Sequence, residues 1–160
     1  MSYMRNKLII LVMILIIAAG YHLFSPIFIV SEANDNLPKV NYVMESPGTT
    51  IKPVLEEFSG EIVPFEKQAS GRVAVYDTNG QKILRFEDFE TINGPGLSVY
   101  LATDITAEDS IDLGEIKATK GNVNYEIPAS LDLERYDTVL LWSDTYNRLF
   151  SYAELNKKSK

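Results

Sequence analysis

Carboxylates make up most of the side chains in this sequence that could do chemistry. Asp104, Glu108, Asp109 and Asp112 fall in one stretch, DITAEDSID. Calcium takes oxygen ligands of this kind, which makes these four weak calcium candidates. An EF-hand loop needs fixed ligand spacings and a glycine at its turn, and the stretch has neither. A solvated acidic loop accounts for it without a metal. Glu87, Asp88 and Glu90 would form a glycosidase-like acid and base only if the fold set two of their carboxyls at the right separation. As surface charge flanking Phe86 and Phe89 they need no such role. Ser143 next to Asp144 has the look of a nucleophile pair but lacks a base to activate it.

The chain narrows the chemistry further by what it omits. Its 160 residues hold no cysteine, and His22 is the sole histidine. From Phe58 onward there is no His, Cys or Met. Thiol redox chemistry is therefore excluded, as are thiolate metal sites. Of the axial haem ligands only tyrosine is left. No catalytic residue, cofactor or resident metal is expected, and the chain reads as a non-enzyme. A carboxylate-based hydrolase is the remote alternative. The net charge of -7 leaves nothing to neutralise phosphates, so nucleic acid is not expected as a partner. With 46% hydrophobic and 23% charged residues, the composition is that of a globular protein.

The N-terminal residues are a different material. No charged side chain occurs between Lys7 and Glu32, and Leu8–Ile17 is wholly apolar. As a helix, residues 8–30 would be about 35 Å long, against roughly 30 Å of hydrocarbon. Residues 1–30 therefore read as a short cytoplasmic n-region and a transmembrane signal anchor. A cleaved signal peptide is the open alternative, with Arg5 and Lys7 as n-region and Ala18 and Gly20 before a cut. Arg5 and Lys7 precede the segment while Glu32 and Asp35 follow it. That asymmetry puts the N-terminus in the cytoplasm and the rest outside, in a single-pass arrangement at the cell membrane. His22 reads as an interfacial side chain.

Residues 31–57 carry Pro38, Pro47 and Pro53 and read as an extended linker, with Val54, Leu55 and Phe58 as its docking point. From Phe58 the period is two. Leu97, Val99 and Leu101 alternate with Ser98, Tyr100 and Ala102, and Val123, Tyr125 and Ile127 alternate with Asn122, Asn124 and Glu126. Val139–Trp142 is continuously apolar, as suits a central strand covered on both sides, with Trp142 as a core anchor. Further strands are expected at 61–66, 71–76, 114–118 and 148–155, and a hairpin at Asn79-Gly80. Gly60, Gly71, Gly94, Gly96, Gly114 and Gly121 punctuate the rest. The expected fold is all-β: an antiparallel β-sandwich of 7–9 short strands over 58–155, then a basic, solvated tail at 156–160.

The pieces SGRVAVYD (Ser70–Asp77), KILRFEDFETINGPGLSVYLATD (Lys82–Asp104), DLGEIKATKGNVNYEIP (Asp112–Pro128), YDTVLLWSD (Tyr136–Asp144) and LFSYAEL (Leu149–Leu155) occur in that order. In this order they resemble the DM13 family of electron-transfer domains. The matching motif positions are Gly94, Pro95, Gly114, Gly121, Tyr125 and Trp142. The resemblance implies a cysteine after the tryptophan, and this chain has Ser143 there. It therefore implies the fold but does not carry thiol chemistry over. The function expected is a membrane-anchored extracytoplasmic module that binds or scaffolds. The alternative is an accessory in extracytoplasmic electron transfer whose partner holds the cofactor. The expected partners are the membrane, through residues 8–30, and an unidentified extracytoplasmic protein or small ligand.

Overall fold

The computed structural model describes residues 2–24, 30–37, 55–65, 68–78 and 80–158. Among them are one helix, α1 (Ser2–Phe24), and eleven strands. The strands are β1 (Glu32–Asn34), β2 (Leu55–Glu61), β3 (Val63–Pro64), β4 (Ala69–Thr78), β5 (Gln81–Thr91), β6 (Leu97–Ala102), β7 (Ser110–Glu115), β8 (Lys120–Ile127), β9 (Thr138–Ser143), β10 (Arg148–Glu154) and β11 (Asn156–Lys157). They form two sheets, in the orders β1-β8-β5-β4-β2-β11 and β3-β10-β9-β6-β7. Among the described residues every pairing is antiparallel except that of β1 with β8.

The alternation in the sequence becomes two inner faces over one core. Val73, Val75, Leu84, Phe86, Val123 and Tyr125 come from the first sheet; Val99, Leu101, Val139, Leu141 and Phe150 come from the second. All are buried, each such side chain contributing about 1.5–3 kcal/mol relative to exposure. The expected hairpin is present: Thr78 pairs with Gln81, Gly80 has φ 91°, and its N–H donates to Asp77 Oδ1 at 2.7 Å, while Asn79 lies outside the described residues.

Several elements depart from expectation. The strand read at 114–118 is β7, which starts at Ser110 inside the acidic stretch, where half-buried Ile111 and Leu113 alternate with exposed Asp112. The docking point around Leu55 and Phe58 is β2, and Phe58 is buried in the core. The tail is not simply solvated: β11 pairs with β2, Lys157 bonds Glu134, and Lys158 Nζ lies 2.8 Å from Glu56. Glycines read as breaks also lie within strands, as Gly60, Gly71, Gly114 and Gly121 do.

β1 lies in the segment read as linker and is held at several points. The Ser31 N–H donates to Thr119 Oγ1 at 2.9 Å, and the Thr119 N–H returns a bond to Ser31 O at 2.8 Å. Arg85 is 6% exposed, and its Nη1 donates to the carbonyls of Asp35 and Asn36 and to Asn124 Oδ1. Gly121, at φ 105°, leaves room for the strand: a Cβ there would stand 2.0 Å from Ala33 O. Residues 38–54, with Pro38, Pro47, Pro53 and Val54, lie outside the described residues.

α1 is described over Ser2–Phe24. Its side chains from Ile9 to Ile17 are exposed. Among the described residues no helix is long and apolar enough to cross a membrane. The expected span to Val30 takes in residues 25–29, and the side chain of His22, which lie outside them.

Candidate functional site

β9 is apolar on both sides, and its two faces do different things. Val139 and Leu141 point into the core between the sheets. Leu140 and Trp142 point outward, into a second cluster with Ala102, Leu149, Tyr100, Tyr152 and Ala107. Trp142 is thus half-buried on the outer face, not the core anchor its apolar run suggests. The run is continuous because both faces of β9 are apolar, and periodicity cannot assign a residue to one of two such faces.

This outer face crosses the second sheet. β10 supplies Leu149, opposite Trp142, and Tyr152, opposite Leu140; β6 supplies Ser98, Tyr100 and Ala102. Val63 of β3, opposite Tyr152, extends it and is 41% exposed. Leu140 and Ala102 are fully buried although they face away from the core, so the rings of Tyr100, Trp142 and Tyr152 are what cover them. Aromatic rings of this kind offer area and a polar tip together, the composition of recognition surfaces.

Asp144 sets the edge of the face. Its Oδ1 accepts from Tyr100 Oη at 2.8 Å and its Oδ2 from Ser98 Oγ at 2.9 Å. Burial, the Asp144 hydrogen bond and the charges of Asp112 and Asp144 push the Tyr100 phenol up to about 12. Tyr100 is therefore neutral and oriented at physiological pH. Sequence reading missed Ser98, Tyr100 and Tyr152 as site residues, and it set Asp144 beside Ser143 rather than with Tyr100. The signal was present in the second set of the alternation, where Tyr100 and Ala102 are too apolar for a solvated face.

Ser143 points the other way and is fully buried. Its Oγ donates to the Pro95 carbonyl at 2.7 Å and accepts the Tyr146 N–H at 3.3 Å. The Asp144 N–H donates to Gly96 O at 2.8 Å, and a Cβ on Gly94 would meet the Phe150 ring at 2.7 Å. The structure thus brings Gly94, Pro95 and Ser143 together, where the hydroxyl ties the turn to the β9–β10 hairpin. The other motif positions lie apart. Gly121 faces β1, and Gly114 donates to Asp112 Oδ1. Tyr125 is a core ring 5.7 Å from Phe86, its phenol raised by burial.

The calcium candidates do not converge. Asp104 accepts from Thr106, Asp109 from Arg135 and Tyr136, and Asp112 from Gly114. Glu108 is exposed. Among the described residues no group of three or more His, Cys, Asp or Glu is placed to hold a metal ion. Of the other carboxylates, Glu87 accepts from Arg72 at 2.6 Å and Tyr76 at 2.7 Å on the first sheet's outer face, while Glu90 pairs with Lys120. Arg72 also bonds Glu56. Burial works to raise the Glu56 carboxyl, but the Lys158 hydrogen bond and the Arg72 charge outweigh it and hold it low. A cleft of about 350 Å³ beside β8 is lined by Asp35, Gln81, Lys117, Asn124, Tyr125 and Glu126, among others. The first sheet therefore presents ion pairs outward, and the second presents rings.

Two antiparallel-rich sheets over one core, with a Gly-Pro-Gly turn tied to a late aromatic strand, define the class of domain. The chain belongs to the DM13 family: the family described as Electron transfer DM13 matches residues 61–155. No curated protein matches the chain, and no solved structure matches it. β1, β2 up to Gly60 and β11 lie outside the matched residues.

Proposed function

We propose that this chain is a membrane-anchored, extracytoplasmic β-sandwich module that docks a partner in an electron-transfer assembly, the redox group being carried by the partner. The observation that carries this reading is the aromatic outer face of the second sheet, where Tyr100, Trp142 and Tyr152 cover Leu140 and Ala102. A face spread across several strands suits a protein partner better than a small ligand, which binds in concave sites. The family description supplies the electron-transfer context. The redox role is assigned to the partner because the family's thiol position is Ser143, buried and bonded to Pro95. The anchor is supported by the uncharged stretch between Lys7 and Glu32 and by the exposed apolar side chains of α1. Arg5 and Lys7 on its N-terminal flank support an extracytoplasmic domain.

Trp142 is the only tryptophan, so its emission reports on this face alone. The full chain in detergent or nanodiscs is titrated with redox-protein fractions from its native membranes. Blue-shifted, quencher-protected Trp142 emission, lost when Tyr152→Ala or Tyr100→Ala is introduced, supports docking. Binding unchanged in both variants contradicts this site.

A further inference from the structure

Four exposed apolar side chains lie at one end of the domain, while Leu55 and Ile105 are exposed at the other. Val30 is 69% exposed, Phe65 57%, Tyr146 56% and Ile92 37%. Hydrogen bonds tie their segments into one rim. The Thr119 N–H donates to Ser31 O beside Val30, and the Thr91 N–H donates to Thr119 O beside Ile92. The Phe65 N–H donates to Phe150 O, and the Phe150 ring packs against Gly94. Ser143–Pro95 and Asp144–Gly96 bonds hold the hairpin that carries Tyr146 beside the same turn. The opposite end has a different character. It carries Asp77 near the end of β4, and Asp104, Glu108, Asp109, Asp132 and Glu134 in the loops that close the strands there.

The chain enters the domain at the apolar end. α1 is described to Phe24 and β1 begins at Glu32, so residues 25–31 separate the two in the sequence. Seven residues reach at most about 25 Å when fully extended, and Ser31 is already fixed to Thr119. We infer that this end of the domain rests on the lipid surface, with Phe65, Ile92 and Tyr146 in the interfacial region of the membrane that α1 enters. The inference rests on the anchored reading above. Tyrosine is favoured at such interfaces. Because the chain as a whole is acidic, apolar contact rather than attraction to anionic headgroups holds the rim there. Arg85 and Gly121, which seat β1, act as positioning residues that fix which end faces the membrane. The aromatic face of the second sheet then stands beside the bilayer, open to a partner held in the same membrane.

The cysteine-free chain makes the test direct. Single Ile14→Cys, Phe65→Cys, Ile92→Cys, Tyr146→Cys and Ile105→Cys variants of the full chain carry a fluorophore and are placed in phosphatidylcholine nanodiscs containing nitroxide-labelled lipid. The labels at 14, 65, 92 and 146 are expected to lose most of their emission to the lipid quencher, while the label at 105, at the acidic end, keeps its own. Quenching at 14 with 65, 92 and 146 behaving like 105 overturns the rim and leaves the anchor standing. No quenching at 14 overturns the anchor and the rim with it. Quenching at 92 that persists unchanged when Gly121→Val displaces β1 removes the positioning role of that strand.

Discussion

Ser143 Oγ donates to the carbonyl of Pro95 at 2.7 Å from a fully buried position. This bond turns the site of the family's thiol into a structural tie between the Gly-Pro-Gly turn and the β9–β10 hairpin. A fully buried carbonyl that loses its donor costs about 1–3 kcal/mol, and the half-buried Pro95 sets that range as the ceiling. Ser143→Ala is therefore expected to lower stability by up to that amount, read as a reduced urea midpoint at unchanged m-value. A midpoint equal to wild type would show that water replaces the hydroxyl. In Ser143→Cys the thiol should resist alkylation in the folded chain, because burial raises its pKa and blocks access.

The two faces of β9 predict unequal costs for its large side chains. Leu141 is in the core, and its replacement by Ala should cost about 2–5 kcal/mol. Trp142 is half-buried on the outer face, so Trp142→Ala should cost less, about 1–3 kcal/mol, despite the larger ring. Thermal or urea unfolding of both variants decides it. A Trp142 variant that is the less stable of the two would put the ring back in the core.

Much of the domain was legible because burial imposes a period. The pairs Val99–Leu101 and Val123–Tyr125 announced their inner faces, and Asn79-Gly80 announced its hairpin. β1 was not legible: Glu32-Ala33-Asn34 has no apolar pattern, and its partners Lys120, Gly121 and Asn122 lie 88 residues away. The glycines misled for a related reason. Gly60 and Gly121 sit inside strands where another backbone approaches closely, Glu154 O and Ala33 O respectively, which a sequence renders as a break. The candidate site was half legible. The order of motifs gave the turn and the late strand, but only packing shows that Ser143 faces in and Trp142 out.

Gly121 gives the prediction for β1. Gly121→Ala would put a methyl 2.0 Å from Ala33 O at a φ of 105°, so the strand must move or the variant strain. The expected loss is more than about 1 kcal/mol. Hydrogen exchange should localise it to the amides of Asp35 and Thr119, which bond across this junction. Native protection at both amides would show that β1 tolerates the side chain.

Stability at high pH follows from two tyrosines. Tyr100 and Tyr76 are both pushed up to about 12 from an ordinary 10, by burial first and then by hydrogen bonds to Asp144 and Glu87. The fold favours the neutral phenol, so this contribution is complete below pH 10 and is lost as pH rises through about 12. Denaturation midpoints should therefore decline over that window, and Tyr100→Phe should flatten part of the decline. In Asp144→Asn, a phenolate absorbance titration should show one tyrosine moving back towards 10. A curve unchanged by either substitution would detach Tyr100 from Asp144.

As proposed, this DM13 domain docks a redox partner that carries the redox centre. Protein-film voltammetry of the full chain, purified from its native membranes with its metal content measured, tests it most directly. No reversible wave is predicted from the chain alone, with a wave appearing only when the partner is captured through the Tyr100–Trp142–Tyr152 face. A reversible wave from the chain alone, with stoichiometric iron or copper, would contradict the account and place a tyrosine- or carboxylate-held centre within the domain itself.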